Sequence, residues 1–274
     1  MVQIVEITDP ADERIADFRH LNSSDRRPDL PGGKGLVIAE GVLVVERMIA
    51  SRFRPHTLMG TENRLAELRG PGGDGLDGVD APFHLVSAET MERCIGFHLN
   101  RGVLAAAHRP EPLPVDTALA GAETVIALEG VNDHENIGAI FRGAAGLGAQ
   151  ALLFGSGCAD PLYRRTVRVS MGHVLRVPFA HAENWPGALD RLREAGYTVV
   201  SLTPDPAAPT LAAALAELRG RRVVLLVGAE GPGLAERTMR RTDVRARIPM
   251  TPGADSLNVA TAATLACYER TRSV

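Results

Sequence analysis

Thr124-Val125-Ile126-Ala127-Leu128 is a nearly unbroken apolar run of strand length, and a short turn separates it from Asn136-Ile137-Gly138-Ala139-Ile140-Phe141-Arg142, which opens a helical segment over about 137–148. The same alternation continues towards the C-terminus. Further strands are expected at 151–154, 174–178, 198–202, 223–227 and 246–249, with helices at about 161–170, 185–195, 234–241 and 256–272. Apolar strands alternating with helices imply an α/β fold, with a parallel sheet covered on both faces.

Residues 1–105 have a less regular pattern and predict a separate, smaller α/β domain. A helix is expected at 15–21, ending at Asn22-Ser23-Ser24-Asp25, a strand at 36–39 and a helix at 41–51. A glycine-rich loop at 70–75 precedes a strand at 84–86 and a helix at 90–95. Between the two halves, Pro110-Glu111-Pro112-Leu113-Pro114 holds three prolines in five residues and favours an extended spacer. The expected division is therefore 1–105, a linker over 106–120, and 121–274.

Composition narrows the function. The 274 residues are 45% hydrophobic and 23% charged, with a net charge of −3, so the chain is not uniformly basic. A local basic face is nevertheless sufficient to meet phosphates. Aromatic residues are only 4%, which argues against a base-stacking platform as the main mode of binding. Cys94, Cys158 and Cys267 are widely spaced and form no metal-binding pair, as expected of reduced thiols in a cytosolic protein. The first residues do not read as a signal peptide, and no run reaches the length of a membrane span.

Several nucleotide signatures are absent. Glu129-Gly130-Val131 stands where a dinucleotide-binding turn would follow the first strand, and Gly143-Ala144-Ala145-Gly146-Leu147-Gly148 falls late in a helix. No Walker A sequence or Gly-x-Ser-x-Gly elbow occurs. A parallel sheet binds its ligand at the carboxyl ends of its strands. Asn136, Glu230, Ser256 and Asn258 all fall there in this reading, which joins them into one candidate site. Alone, Asn136 and Asn258 are equally helix caps, Glu230 a loop carboxylate, and Gly228–Gly233 a plain turn. Arg142 alone is a solvated helix arginine, although Ile140, Phe141, Ala144 and Ala145 place it near a buried face.

Together and in this order, Asn136 to Arg142, Gly228-Ala229-Glu230-Gly231-Pro232-Gly233-Leu234 and Asp255-Ser256-Leu257-Asn258-Val259-Ala260 resemble the three motifs of the SpoU (TrmH-type) RNA ribose 2'-O-methyltransferases of the SPOUT superfamily. The resemblance implies S-adenosyl-L-methionine as methyl donor and a ribose hydroxyl on structured RNA as acceptor, with no metal. It implies that Leu226, Gly228, Ala229, Gly231, Gly233, Ile248, Met250, Ser256 and Leu257 hold the donor, largely through backbone, with Leu257 against the adenine. Many members carry Asn where Ala229 stands, so contact there falls to the backbone.

The resemblance makes Arg142 the residue that prepares the 2'-hydroxyl, with Asn136, Glu230, Ser256 and Asn258 ordering the site and Glu230 in contact with Arg142. A guanidinium stays charged in proteins, which favours orienting the hydroxyl and stabilising the developing alkoxide over proton abstraction. Arg164, Arg165 and Arg168 are expected to grip phosphates, and Arg26 and Arg27, with Arg19 and Lys34, form a second basic cluster. The family further implies a trefoil knot, a homodimer through the C-terminal domain, and an N-terminal RNA-binding domain resembling ribosomal protein L30e. The two-domain layout favours 23S ribosomal RNA. A tRNA enzyme, a catalytically idle RNA- or ribosome-binding homologue and a nucleotide-dependent small-molecule enzyme are the rival readings.

Overall fold

The computed structural model describes residues 2–19, 21, 35–73, 75–251, 253 and 255–273. The chain forms two compact units, one of Met1–Glu111 with Leu162–Arg176, the other of Pro112–Pro161 with Val177–Val274. In the first unit, β1 (Ile4–Glu6), a 3-10 turn (Glu13–Phe18), β2 (Leu36–Glu40), α1 (Val42–Ile49), β3 (Pro55–Gly60), α2 (Glu62–Arg69), β4 (Phe83–Leu85), α3 (Ala88–Ile95) and β5 (Val103–His108) follow in turn. The sheet order is β1-β4-β3-β5-β2. β4 runs parallel to β1 and β3, while β5 is antiparallel to β3 and β2. Phe18, Ile38, Met59, Met91 and Leu104 lie within one apolar core of this unit.

The second unit continues through α4 (Val115–Ala118), β6 (Thr124–Glu129), α5 (His134–Leu147) and β7 (Ala151–Phe154). The chain then crosses to the first unit as α6 (Arg164–Val169) and returns as β8 (Phe179–His181). α7 (Ala188–Glu194), β9 (Tyr197–Leu202), α8 (Leu211–Ala216), β10 (Arg222–Gly228), α9 (Glu236–Met239), β11 (Val244–Ala246) and α10 (Val259–Arg272) complete it. Six strands form a wholly parallel sheet in the order β11-β9-β10-β6-β7-β8. The expected α/β fold with a parallel sheet is therefore present.

Four expectations need adjustment, the first being the strand expected at 246–249, which lies earlier as β11 (Val244–Ala246). β5 occupies the first residues assigned to the linker; Ala105, Ala106 and Ala107 pair with both β2 and β3 and are fully buried, so sheet context overrides the helical preference of an alanine run. The strand expected at 174–178 lies later. His173–Leu175 is a 3-10 turn, and β8 begins only after Pro178, which has no N–H to give the ladder with β7. The region expected as helix from 15 is a 3-10 turn, Glu13–Phe18, capped by Asp12, whose side chain accepts from the Arg14 N–H.

Two contacts fix α10, one against α5 and one at the start of β6. A Cβ on Gly143 of α5 would lie 2.6 Å from Thr264 Oγ1, so the missing side chain permits the helices to approach. At the far end Arg270, 3% exposed, donates to Thr124 Oγ1 (3.3 Å), the Leu218 carbonyl (3.3 Å) and the Arg221 carbonyl (2.6 Å). Arg270→Met removes all three charged-donor hydrogen bonds and leaves only the Leu218 carbonyl with another donor, the Arg221 N–H (3.1 Å). We expect a loss of about 3 kcal/mol of stability, read as a lowered midpoint in urea unfolding.

Candidate active site

α5 begins at Asp133, whose carboxylate accepts from the Glu135 N–H (2.7 Å) and the Asn136 N–H (2.9 Å). This acidic cap settles the first turn and presents the Asn136 side chain at the carboxyl end of β6. α10 begins at Asn258, whose Oδ1 accepts from the Ala260 N–H (3.0 Å) and the Thr261 N–H (3.1 Å). The reading of both asparagines as helix-start residues is thus correct for Asn258, while at α5 the cap is Asp133.

The free side-chain groups of the two asparagines meet over Glu230. Asn258 Nδ2 donates to Asn136 Oδ1 (2.8 Å) and to Glu230 Oε1 (2.7 Å). Asn136 Nδ2 donates to the same carboxylate oxygen (3.2 Å), and the Val259 N–H approaches it at 3.4 Å. The starts of α5 and α10 and the loop after β10 therefore contribute to one hydrogen-bonded cluster. Each amide is oriented by the other, so the carboxylate is held with its second oxygen unused by these donors.

Beside the cluster lies a cavity at the ends of β9 and β10. Gly228, Ala229, Glu230, Gly231 and Gly233 wall it on one side; Ile248, Met250, Ser256 and Leu257 face them. The glycine loop folds tightly over the end of β10. A Cβ on Gly228 would stand 2.4 Å from the Gly233 carbonyl carbon and 2.4 Å from the Leu234 nitrogen, both backbone atoms. Gly231 and Gly233 take φ of 84° and 66°, a region that side-chain-bearing residues rarely adopt. Leu202, Thr203 and Pro204 also line the cavity. They were not picked out from sequence, although they sit at the end of β9, where the strand-end rule points.

Other expected residues fall elsewhere. Leu226 is fully buried among Val224, Val199 and Val125 in the core, because alternation along β10 turns it away from the cavity that Val227 reaches. Arg142 is exposed on α5 rather than set into the buried face of Ile140, Phe141 and Ala144. Its guanidinium makes no hydrogen bond or ion pair with a described residue; the expected contact with Glu230 is replaced by the two asparagines.

Arg164 also departs from expectation. Within the first unit it pairs with the buried carboxylate of Glu40 (3.0 Å) and lies 5.1 Å from the Phe97 ring centre, with its side chain only 15% exposed. A guanidinium committed in this way is withdrawn from phosphate contact. Arg165 is exposed and Arg168 partly so. Arg26, Arg27 and Lys34 lie outside the described residues.

Among the described residues no group of His, Cys, Asp and Glu is arranged to hold a metal, and no helix is long and apolar enough to cross a membrane. The cysteines are unbridged. Burial raises the Cys158 thiol above its usual range and pushes that of Cys267 up to about 12, which leaves both protonated and unreactive at neutral pH.

The chain matches the family model of SpoU rRNA methylases over residues 123–268. An uncharacterised tRNA/rRNA methyltransferase of Mycobacterium tuberculosis is 61% identical over 99% of this chain and 93% of that protein. A 23S rRNA (guanosine-2'-O-)-methyltransferase, RlmB, from Burkholderia is 34% identical over 71% of this chain and 78% of its own length. Among solved structures, an AdoMet-bound rRNA methyltransferase from Sinorhizobium meliloti superposes with a TM-score of 0.80 at 26% identity, covering 98% of each chain.

Proposed function

The chain belongs to the SpoU rRNA methylase family, and from that premise we propose that it methylates a ribose 2'-hydroxyl in structured RNA, most readily 23S ribosomal RNA. The broader activity follows from the family itself: this is an S-adenosylmethionine-dependent RNA methyltransferase. The observation that carries the finer reading is the convergence of Asn136, Glu230 and Asn258 on one rim, beside a cavity walled by the glycine loop.

The residues present fit the methyl donor. Ile248, Met250 and Leu257 offer apolar surface to an adenine. Gly228, Ala229, Gly231 and Gly233 offer backbone at close range, and Ser256 a hydroxyl. The bound donor supplies an electrophilic methyl group on a sulfonium, so the protein's task is in-line placement of the acceptor oxygen. Asn136, Asn258 and Glu230 order that place. Arg142 orients the 2'-hydroxyl and its neighbouring phosphate and stabilises the alkoxide charge that develops as the hydroxyl proton passes to solvent water. RlmB, a relative whose name carries a 2'-O activity, supports the choice of ribose over base.

Exposed Leu265 and Tyr268 on α10, 39% and 50% accessible, support a homodimer through the C-terminal unit. The first unit serves as an L30e-like RNA-binding domain, and the enzyme works in the cytoplasm. Arg165 and Arg168 contact phosphate. Arg165→Ala and Arg168→Ala should each weaken RNA binding and reduce the slope of log K against log salt by roughly 0.7 to 0.9. Arg164→Ala should instead destabilise the first unit by leaving Glu40 with a weaker partner, since Arg101 is 3.9 Å away. Equal salt slopes in wild type and the Arg165 and Arg168 variants would remove those residues from the interface.

The deciding experiment is tritium transfer from labelled S-adenosylmethionine to total RNA from a strain lacking the gene. Label in 23S rRNA at a position resistant to alkaline cleavage is the expected result. Label in tRNA would reassign the substrate; label on a base would overturn ribose methylation.

A further inference from the structure

Glu129 ends β6 in the middle of the parallel sheet, in register with Gly228 of β10, and is only 6% exposed. Holding a carboxylate there is costly unless donors meet it. No cation pairs with it among the described residues. Its partners are two neutral donors from a single place: the Ala235 N–H reaches Oε2 (3.3 Å) and the Thr238 hydroxyl reaches Oε1 (3.0 Å). Thr238 is fully buried. Ala235 is the N-cap residue of α9 and has no polar side chain with which to cap it, so Glu129 reaches in from β6 and accepts from the N–H at that position.

The next residue, Gly130, touches the other end of the same loop. It has φ of 69°, and a Cβ on it would lie 3.1 Å from the Ala229 Cβ. Two consecutive residues at the end of β6 thus meet the loop where it leaves β10 and where it enters α9. Between those points lie Glu230, Gly231 and Gly233, which wall the cavity. Glu129 itself does not line it.

We infer that Glu129 is a positioning residue for methyl-donor binding: its carboxylate, through Ala235 and Thr238, latches the glycine loop in the shape that forms the cavity before the donor arrives. This rests on the assignment of the donor to that cavity. A preformed loop has little ordering left to lose on binding, so releasing the latch weakens affinity for the donor without touching the groups that meet RNA.

Glu129→Gln replaces one acceptor by a donor facing Ala235 or Thr238; Thr238→Val removes the hydroxyl at nearly constant shape; Thr238→Ser retains it. Calorimetric titration with S-adenosylmethionine should show affinity reduced about tenfold or more in Glu129→Gln and Thr238→Val. In steady-state assays the rise should fall on KM for the donor, with KM for RNA and kcat at saturating donor unchanged, and Thr238→Ser should restore wild-type values. Wild-type donor affinity in folded Glu129→Gln or Thr238→Val overturns the inference. So does a parallel loss of RNA affinity and melting temperature, which would mark a general structural role. Leu257→Arg, which fills the cavity, tests the underlying assignment separately. If it leaves donor binding intact, the donor sits elsewhere and the inference falls with that reading.

Discussion

Arg142→Ala should slow methyl transfer by about two to three orders of magnitude while leaving both the fold and donor binding intact. The side chain is exposed and makes no hydrogen bond or ion pair with any described residue, so its removal takes nothing from the folded state; the melting temperature should hold, since such surface changes stay within about 0.5 kcal/mol. The loss falls on the transition state, where negative charge grows on the attacking oxygen. Removing a donor aimed at such charge costs roughly 100- to 1,000-fold in rate. Arg142→Lys should recover little of it, because an ammonium cannot reproduce the planar two-pronged donor. Single-turnover transfer from labelled donor at saturating RNA reads this directly. Wild-type rates in a folded Arg142→Ala protein would show that another group prepares the hydroxyl.

Gly228→Ala should disable the enzyme by a different route. The added methyl would stand 2.4 Å from two backbone atoms of the loop that folds over it, and backbone cannot turn aside as a side-chain tip can. The loop must lift, and the cavity wall formed by Ala229 to Gly233 lifts with it. Strain of about 1–3 kcal/mol transmitted to that wall corresponds to roughly 5- to 150-fold weaker donor binding. Equilibrium dialysis against labelled S-adenosylmethionine measures it, and a wild-type dissociation constant would show that the loop does not frame the donor. The two substitutions separate cleanly: one leaves donor binding and slows chemistry, the other removes donor binding.

The sheet of the second unit was legible because β6, β7 and β10 are buried on both faces and read as continuous apolar runs. β5 was not: Ala105, Ala106 and Ala107 carry no strand signal of their own and become strand only through the partners on either side. The short α8 (Leu211–Ala216) lies outside the expected helices, although Thr210 caps it and its leucines and alanines favour helix. In the site, strand-end placement selected Asn136, Glu230 and Asn258 as candidates, but spacing alone does not reveal that they share one carboxylate oxygen. Their partners lie 94 and 28 positions apart in the chain. The same reason hid the fate of Arg164. Its charge was visible, whereas the buried Glu40 that takes it lies 124 positions earlier. Long-range pairing decides which polar residues remain available, and it is settled by the packed chain rather than by its local pattern.

The excursion of Leu162–Arg176 into the first unit bears on how such a protein can be inherited in pieces. A domain joined through a single linker can be exchanged by recombination at that linker. Here an exchange at Pro110–Pro114 would bring in a foreign N-terminal half that lacks the surface on which the native Arg164 and Met171 are seated, by Glu40 and Arg47 respectively. The halves are therefore bound to change together: any working chimaera must carry the segment 162–176 from the same parent as residues 1–111.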